Sequence, residues 1–179
     1  MKPEEKARQN IDKLLEAAGW TIQDFKDLNL GSSLGVAVRE FPLISGFADY
    51  LLFIDRKAVG ALEAKPEGTT LTSTEYQSDK YLFSLPKDLP CCQKPLPFAY
   101  ESTGVETFFR NLKDSDTRSR RVFAFHSPKA FLEWVNQNDT VRKRLQNLPY
   151  LTTQGLRDCQ VEAIRNLEKS FSSLGEDQL

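Results

Sequence analysis

Two acids and a lysine, Asp49, Glu63 and Lys65, are the residues of this sequence best placed to do chemistry. Asp49 stands near the start of ADYLLFID, and Glu63 and Lys65 close ALEAK; both belong to short segments rich in apolar residues that read as strands. Side chains alternate along a strand, so Glu63 and Lys65 share a face, and a hairpin between the segments brings Asp49 within reach. Two carboxylates converging from adjacent strands suit a hard divalent ion such as Mg²⁺, which takes oxygen ligands and keeps several waters. Such an ion lowers the pKa of a bound water and neutralises charge developing on a phosphate, while the ammonium of Lys65 orients or helps deprotonate the nucleophile. The chemistry implied is phosphodiester hydrolysis.

The Asp/Glu-x-Lys pattern alone carries little, because it recurs at Glu4/Lys6, Asp24/Lys26 and Asp55/Lys57. What sets Glu63 and Lys65 apart is that they close an apolar strand while a second acid begins the strand before it. The competing reading is a structural salt bridge at a strand end.

The elements that must position this set are legible in outline. Pro3 with Glu4 and Glu5 suits a helix N-terminus, and Ala7, Ile11, Leu14, Leu15 and Ala18 recur at helical spacing up to Gly19. VAVREF, ADYLLFID and AVGALEA read as three neighbouring strands, the last two joined through Asp55-Arg56-Lys57 as a hairpin. Thr72–Phe83 lacks Gly and Pro and places Gln77 and Tyr81 one turn apart, which predicts a helix ended by Pro86. After a proline-rich extended connection, PFAYEST and RVFAFHS read as two more strands with a polar stretch between them. Residues 128–147 predict one or two helices with Trp134 on a core face, and Leu156–Phe171 another with Leu156, Ile164, Leu167 and Phe171 buried. The expected fold is α/β (α+β), a mixed central sheet of about five strands flanked by helices.

The 179 residues suit one compact domain, and a net charge of −1 gives no global basic field, so a polyanionic partner has to be met locally. The local excess lies at residues 110–121, where Arg118, Arg120 and Arg121 accompany Arg110 and Lys113 against Asp114 and Asp116; a solvated loop and a phosphate contact are the two readings. No apolar run reaches the ~20 residues of a membrane helix, and the charged start MKPEEKARQN is unlike a signal peptide, which predicts no membrane association and a cytoplasmic protein. Three cysteines, two of them adjacent, fit neither a disulfide framework nor a zinc spacing. The single His126 excludes a multi-histidine site and reads as a structural residue at a strand end.

With these residues in view, the sequence resembles the PD-(D/E)xK nuclease superfamily, Asp49, Glu63, Ala64 and Lys65 standing as its D…ExK signature. It is more specifically similar to the N-terminal nuclease domain of the restriction (R) subunit of type I restriction enzymes. The similarity runs through EEKARQNIDKLLEAAGW, Arg39-Glu40, ADYLLF, the EAK triplet, Gln77-x-x-x-Tyr81, YESTG with Glu106-Thr107, and RVFAFHSP. GLRDCQVEAIRNLE is similar to the segment leading into the helicase motor of those subunits, with Gln160 as the adenine-contacting glutamine, although no Gly-rich loop ending in Gly-Lys-Ser/Thr occurs in the chain.

The resemblance implies a restriction-endonuclease-like domain over 1–150 and the start of a linker and motor over 151–179. It makes Asp49 and Glu63 metal ligands and Lys65 the catalytic lysine, with Gln77 and Tyr81 steering DNA or supporting the site. Glu40 would hold a second ion or pair with Arg39, and Glu5 or Glu4 could be a helix-borne acid at the metal. The implied activity is Mg²⁺-dependent cleavage of double-stranded DNA by a type I site-specific deoxyribonuclease, coupled in the full-length subunit to ATP-driven translocation. The implied partners are the methyltransferase and specificity subunits. The alternatives are a catalytically silent nuclease-fold docking module and a stand-alone nuclease of the same superfamily.

Overall fold

The computed structural model describes residues 3–71, 80–114, 117–137, 144 and 148–173. Helix α1 (Pro3–Ala17) carries Glu4 and Glu5 in its first turn, where acids complement the helix dipole. It ends in a Schellman motif: Gly19, at φ 94°, donates to the Glu16 carbonyl at 2.9 Å, and Trp20 donates to the Leu15 carbonyl at 3.0 Å. Ala7, Ile11 and Leu15, at helical spacing, are its buried residues.

Seven strands follow in sequence order across one mixed sheet: β1 (Thr21–Asp24), β2 (Gly35–Leu43), β3 (Gly46–Ile54), β4 (Lys57–Ala64), β5 (Phe98–Ser102), β6 (Thr107–Asn111) and β7 (Arg120–Val122). The β1–β2 and β4–β5 pairs are parallel and the others antiparallel. The expected hairpin joins β3 to β4 through Asp55 and Arg56, both at positive φ (44° and 65°), the pattern of a type I′ turn whose twist suits two strands.

The count of seven strands exceeds the expected five because β1 and β6 escape pattern reading. TIQD has four residues and one strongly apolar side chain, and TFFRN sets its two phenylalanines side by side instead of alternating them. Of RVFAFHS only Arg121 and Val122 lie in a strand, which starts at Arg120; beyond it the chain leaves the sheet, with Phe123 fully exposed and Phe125 buried. The 110–121 segment is correspondingly no simple loop, since Arg110 is a buried residue of β6 and Arg120 and Arg121 belong to β7.

The sheet is covered on both faces. On one, Tyr50, Leu52, Leu62, Phe98 and Tyr100 pack against α1 and against α2 (Pro128–Asn136), whose Phe131 is wholly buried and whose Trp134 lies against the same cluster as expected. On the other, Val38, Leu51, Phe53, Ala61 and Ala99 pack with Leu82, Leu85 and Leu96 from the segment between β4 and β5. Of the helix expected over 72–83, residues 80–83 are helical and 72–79 lie outside the described residues. Much of the remainder of the 128–147 prediction also lies outside them.

Two glycines permit close approaches between chain segments. Gly104, at φ 76° in the turn between β5 and β6, faces α1 so closely that a Cβ would stand 2.8 Å from Cβ of Asn10 and 2.9 Å from the Ala7 carbonyl. In β4, a Cβ on Gly60 would fall 2.5 Å from the backbone oxygen of Phe98.

His126 is structural. Its backbone N–H donates to the Tyr100 hydroxyl at 3.0 Å, and that hydroxyl lies 2.5 Å from Nδ1, so the phenol proton points to the imidazole. Burial holds its pKa below the usual histidine value, which keeps the ring neutral and able to accept.

The chain divides into two compact units, Met1–Leu112 with Arg118–Asn136, and Lys113–Thr117 with Gln137–Leu179. In the second, α3 (Asp158–Ser173) starts two residues later than predicted. Gln160 Oε1 accepts the backbone N–H of Arg157 at 2.9 Å, half of a capping box that sets this start. Leu167 and Phe171, expected to be buried, are exposed. No helix among the described residues is long and apolar enough to cross a membrane.

Candidate active site

The antiparallel register of β3 and β4 runs through Leu51–Ala61 to Tyr50–Leu62, so the next positions, Asp49 and Glu63, face one another across the strand pair. The other neighbour of Asp49 is Glu40, which lies between the Arg39–Tyr50 and Phe41–Ala48 pairs of β2 and β3. Glu63 is paired in turn with Glu101 of the parallel strand β5. The sheet therefore lays Glu40, Asp49, Glu63 and Glu101 in a row across four strands, at strand spacings of about 4.8 Å. Strand alternation puts Asp49 on the face of Leu51, and Glu63 on that of Ala61.

Each carboxylate is held by specific donors. Asp49 Oδ2 accepts the backbone N–H of Ala64 at 2.9 Å, a contact between β3 and β4 just beyond their last pair, and Oδ1 accepts Nη2 of Arg8 from α1. The other terminal nitrogen of Arg8 donates to Glu40 Oε1 at 2.9 Å. Lys65 donates from Nζ to Glu63 Oε1 at 2.6 Å, and its backbone N–H donates to the Ser102 carbonyl at 2.8 Å, which ties the end of β4 to β5. The shared face predicted for Glu63 and Lys65 is thus realised as an ion pair. The three side chains are neither sealed nor free in water, with 14 % of Asp49, 8 % of Glu63 and 18 % of Lys65 accessible.

Burial is the main cause of the raised Asp49 pKa, and the nearby Glu63 carboxylate adds to it; the Ala64 N–H and the Arg8 guanidinium work in the opposite direction. Tyr81 enters the same site. Its phenol pKa is pushed up by burial first, then by the charge and the hydrogen-bonding proximity of the Glu63 carboxylate, and by Asp49. The second oxygen of Glu63, Oε2, is buried without a hydrogen-bond partner. A buried acceptor left unpaired costs about 1–3 kcal/mol, and more when charged, a cost that a positive group placed against it would relieve. Among the described residues no three His, Cys, Asp or Glu side chains gather as a metal-binding group. What they offer is a carboxylate pair rather than a cage. That donor set fits Mg²⁺, which binds through one or two carboxylates and fills its other positions with water and substrate phosphate.

The remaining expectations fall out as follows. Glu40 pairs with Arg8 and not with Arg39; the guanidinium of Arg39 reaches Asp12 at 2.8 Å and Asp24 at 3.1 Å instead. Adjacent residues of an extended strand point to opposite faces, which separates the two charges, and Glu40 also departs from regular strand geometry with φ 48°. Glu4 and Glu5 are exposed; from the same helix, the basic Arg8 donates to Asp49 and Glu40, and the Glu4 charge acts on it. Gln77 lies outside the described residues. Arg120 and Arg121 lie on the edge strand β7, Arg121 in an ion pair of 3.2 Å with Glu106; Arg118 precedes that strand, its carbonyl accepting Arg120 Nη1. Gln160 caps α3 in the other unit.

Sequence reasoning missed Arg8 and Glu101. Arg8 sits in a charged helical stretch with nothing in its spacing to single it out. Glu101 sits within YESTG, but only the β4–β5 pairing places it next to Glu63, where it is 2 % exposed.

No protein-family model matches the chain. It is 23 % identical to the "Type I restriction enzyme EcoKI endonuclease subunit" of Escherichia coli (strain K12), in an alignment covering 94 % of this chain and 19 % of that protein. Its fold matches a fragment structure described as an HsdR subunit of a type I restriction enzyme from Vibrio vulnificus YJ016, with a TM-score of 0.54, 16 % identity, and coverage of 96 % of this chain and 33 % of that one. The chain thus spans about a fifth of the length of the curated relative and a third of the structural one.

Proposed function

We propose that this chain is the nuclease domain of a type I restriction enzyme R subunit, of the PD-(D/E)xK kind, and that it cuts double-stranded DNA by Mg²⁺-dependent phosphodiester hydrolysis. The observation that carries the reading is the register-locked Asp49–Glu63 pair, with Lys65 on one oxygen of Glu63 and the other oxygen buried and unpartnered. The similarity to an endonuclease subunit over 94 % of the chain supports the same reading. In the complete subunit, cleavage would be coupled to ATP-driven translocation, with methyltransferase and specificity subunits as partners, and Gln160 would belong to the nucleotide site of the motor.

Asp49 and Glu63 would hold the Mg²⁺, which supplies a water of lowered pKa and neutralises charge on the scissile phosphate. The protein's own part is positional and electrostatic. The Ala64 N–H fixes the Asp49 carboxylate, and the Lys65–Ser102 backbone bond fixes the strand end from which the ammonium projects. Held against Glu63, that ammonium would set a positive charge beside the scissile phosphate, worth most in a site largely screened from solvent. The Tyr81 hydroxyl, kept protonated by burial and its carboxylate neighbours, is a hydrogen-bond donor throughout the neutral pH range. Gln77 would steer DNA, and Arg118, Arg120 and Arg121 would contact phosphates from the sheet edge.

The experiment is anomalous diffraction from crystals of the chain grown with Mn²⁺. The expected peak lies between the Asp49 and Glu63 carboxylates at about 2.0–2.2 Å from one oxygen of each, close to Mg²⁺ coordination distances. Well-ordered crystals with no peak there would reject the metal assignment.

A further inference from the structure

The guanidinium of Arg8 spans the gap between Glu40 and Asp49, one terminal nitrogen on each, while its Nε is buried without a partner. Three of its constraints come from different elements. The backbone carbonyl of Arg8 accepts the Tyr50 hydroxyl at 3.3 Å, α1 is seated against Gly104, and Glu40 is presented by the irregular turn of β2 at φ 48°. Arg8 is therefore delivered to Asp49 by the fold and is no stray surface contact. Yet the oxygen it occupies, Asp49 Oδ1, is the one left over by the Ala64 N–H, and so the one a cation shared with Glu63 would use.

Resting on the metal reading above, we propose that Arg8 is a positioning residue that serves as an exchangeable counter-ion. It holds Asp49 in register while no metal is bound, and yields Asp49 Oδ1 to the incoming divalent cation while remaining tethered by Glu40. The charges support the exchange. Without metal, Arg8 sets its positive charge against Asp49 and Glu40, and Lys65 sets its own against Glu63. A dication brought to Asp49 must compete with a positive charge already there. A guanidinium beside a carboxylate weakens that carboxylate's hold on a proton by roughly 10- to 1000-fold, and its effect on a metal ion has the same sign.

The test is calorimetric titration of the 179-residue chain with Mn²⁺ at neutral pH, comparing wild type, Arg8→Gln, Arg8→Lys and Asp49→Ala. Arg8→Gln should bind Mn²⁺ at least about tenfold more tightly than wild type. Arg8→Lys, which keeps the charge, should bind as wild type does; a residue with a merely structural role would not discriminate in this way. Unchanged or weaker binding by Arg8→Gln, with Asp49→Ala still abolishing binding, overturns the counter-ion role and leaves the metal site standing. Equal binding by wild type and Asp49→Ala removes the metal site and this proposal with it. Should Arg8→Gln fail to fold, the Mn²⁺-bound wild-type crystal decides: Arg8 Nη2 should have left Asp49 Oδ1 and kept Glu40, and its persistence on Asp49 would contradict the exchange.

Discussion

On the proposed function, Lys65→Ala is expected to lower DNA cleavage by the assembled enzyme by at least about 100-fold, some 3 kcal/mol of transition-state stabilisation, while leaving Mn²⁺ affinity undiminished. The two effects separate because Lys65 is paired to Glu63 through one oxygen only, at 2.6 Å, and the other is not engaged by it. Removing the ammonium deletes positive charge that opposes an incoming cation, so binding should hold or tighten. It also deletes the group that would place a positive charge beside the attacked phosphate. Single-turnover cleavage at saturating Mg²⁺, with the Mn²⁺ titration alongside, measures both. Cleavage at the wild-type rate would mean that Lys65 is a structural partner of Glu63 and nothing more.

The second large effect concerns stability. Phe131→Ala should cost about 3–5 kcal/mol, read as a lowered urea midpoint with an unchanged slope. Phe131 has no solvent exposure, and its ring lies 4.6 Å from that of Phe98, 5.4 Å from Trp20 and 5.5 Å from Trp134. It thus joins α2, the β5 strand and the turn that follows α1, and alanine would leave a cavity among large aromatic rings that cannot collapse into it. A loss below about 1 kcal/mol would show that α2 is docked by other contacts.

The site and the fold were legible in the sequence to different depths. Asp49, Glu63 and Lys65 stand out because strand alternation and hairpin pairing are local rules, and both act within one stretch of chain. Helix α1 is marked at each end by residues whose reasons are equally local, acids in the first turn and Gly19 at the last. What escaped depends on tertiary approach. β1 and β6 are strands because neighbours accept their hydrogen bonds, and TIQD and TFFRN carry little pattern of their own. Arg8 meets Asp49 only because α1 crosses the sheet near Gly104, and the adjacency Arg39-Glu40 suggested a pairing that the alternation of a strand forbids. In α3 the apolar spacing of Leu167 and Phe171 was read as burial, but these residues remain exposed within their own unit. Periodicity tells which side chains share a face and does not say what covers that face.

The measurement that bears most directly on the account is DNA cleavage by the complete restriction enzyme carrying Asp49→Ala, with ATP hydrolysis followed in the same reaction. If Asp49 is a metal ligand of the nuclease, plasmid cutting should fall by at least about 100-fold while ATP hydrolysis continues near the wild-type rate, since the ligand belongs to the chemistry of the phosphodiester and not to the motor. Undiminished cutting by a folded, ATP-hydrolysing Asp49→Ala enzyme would contradict the account and place the nuclease centre elsewhere.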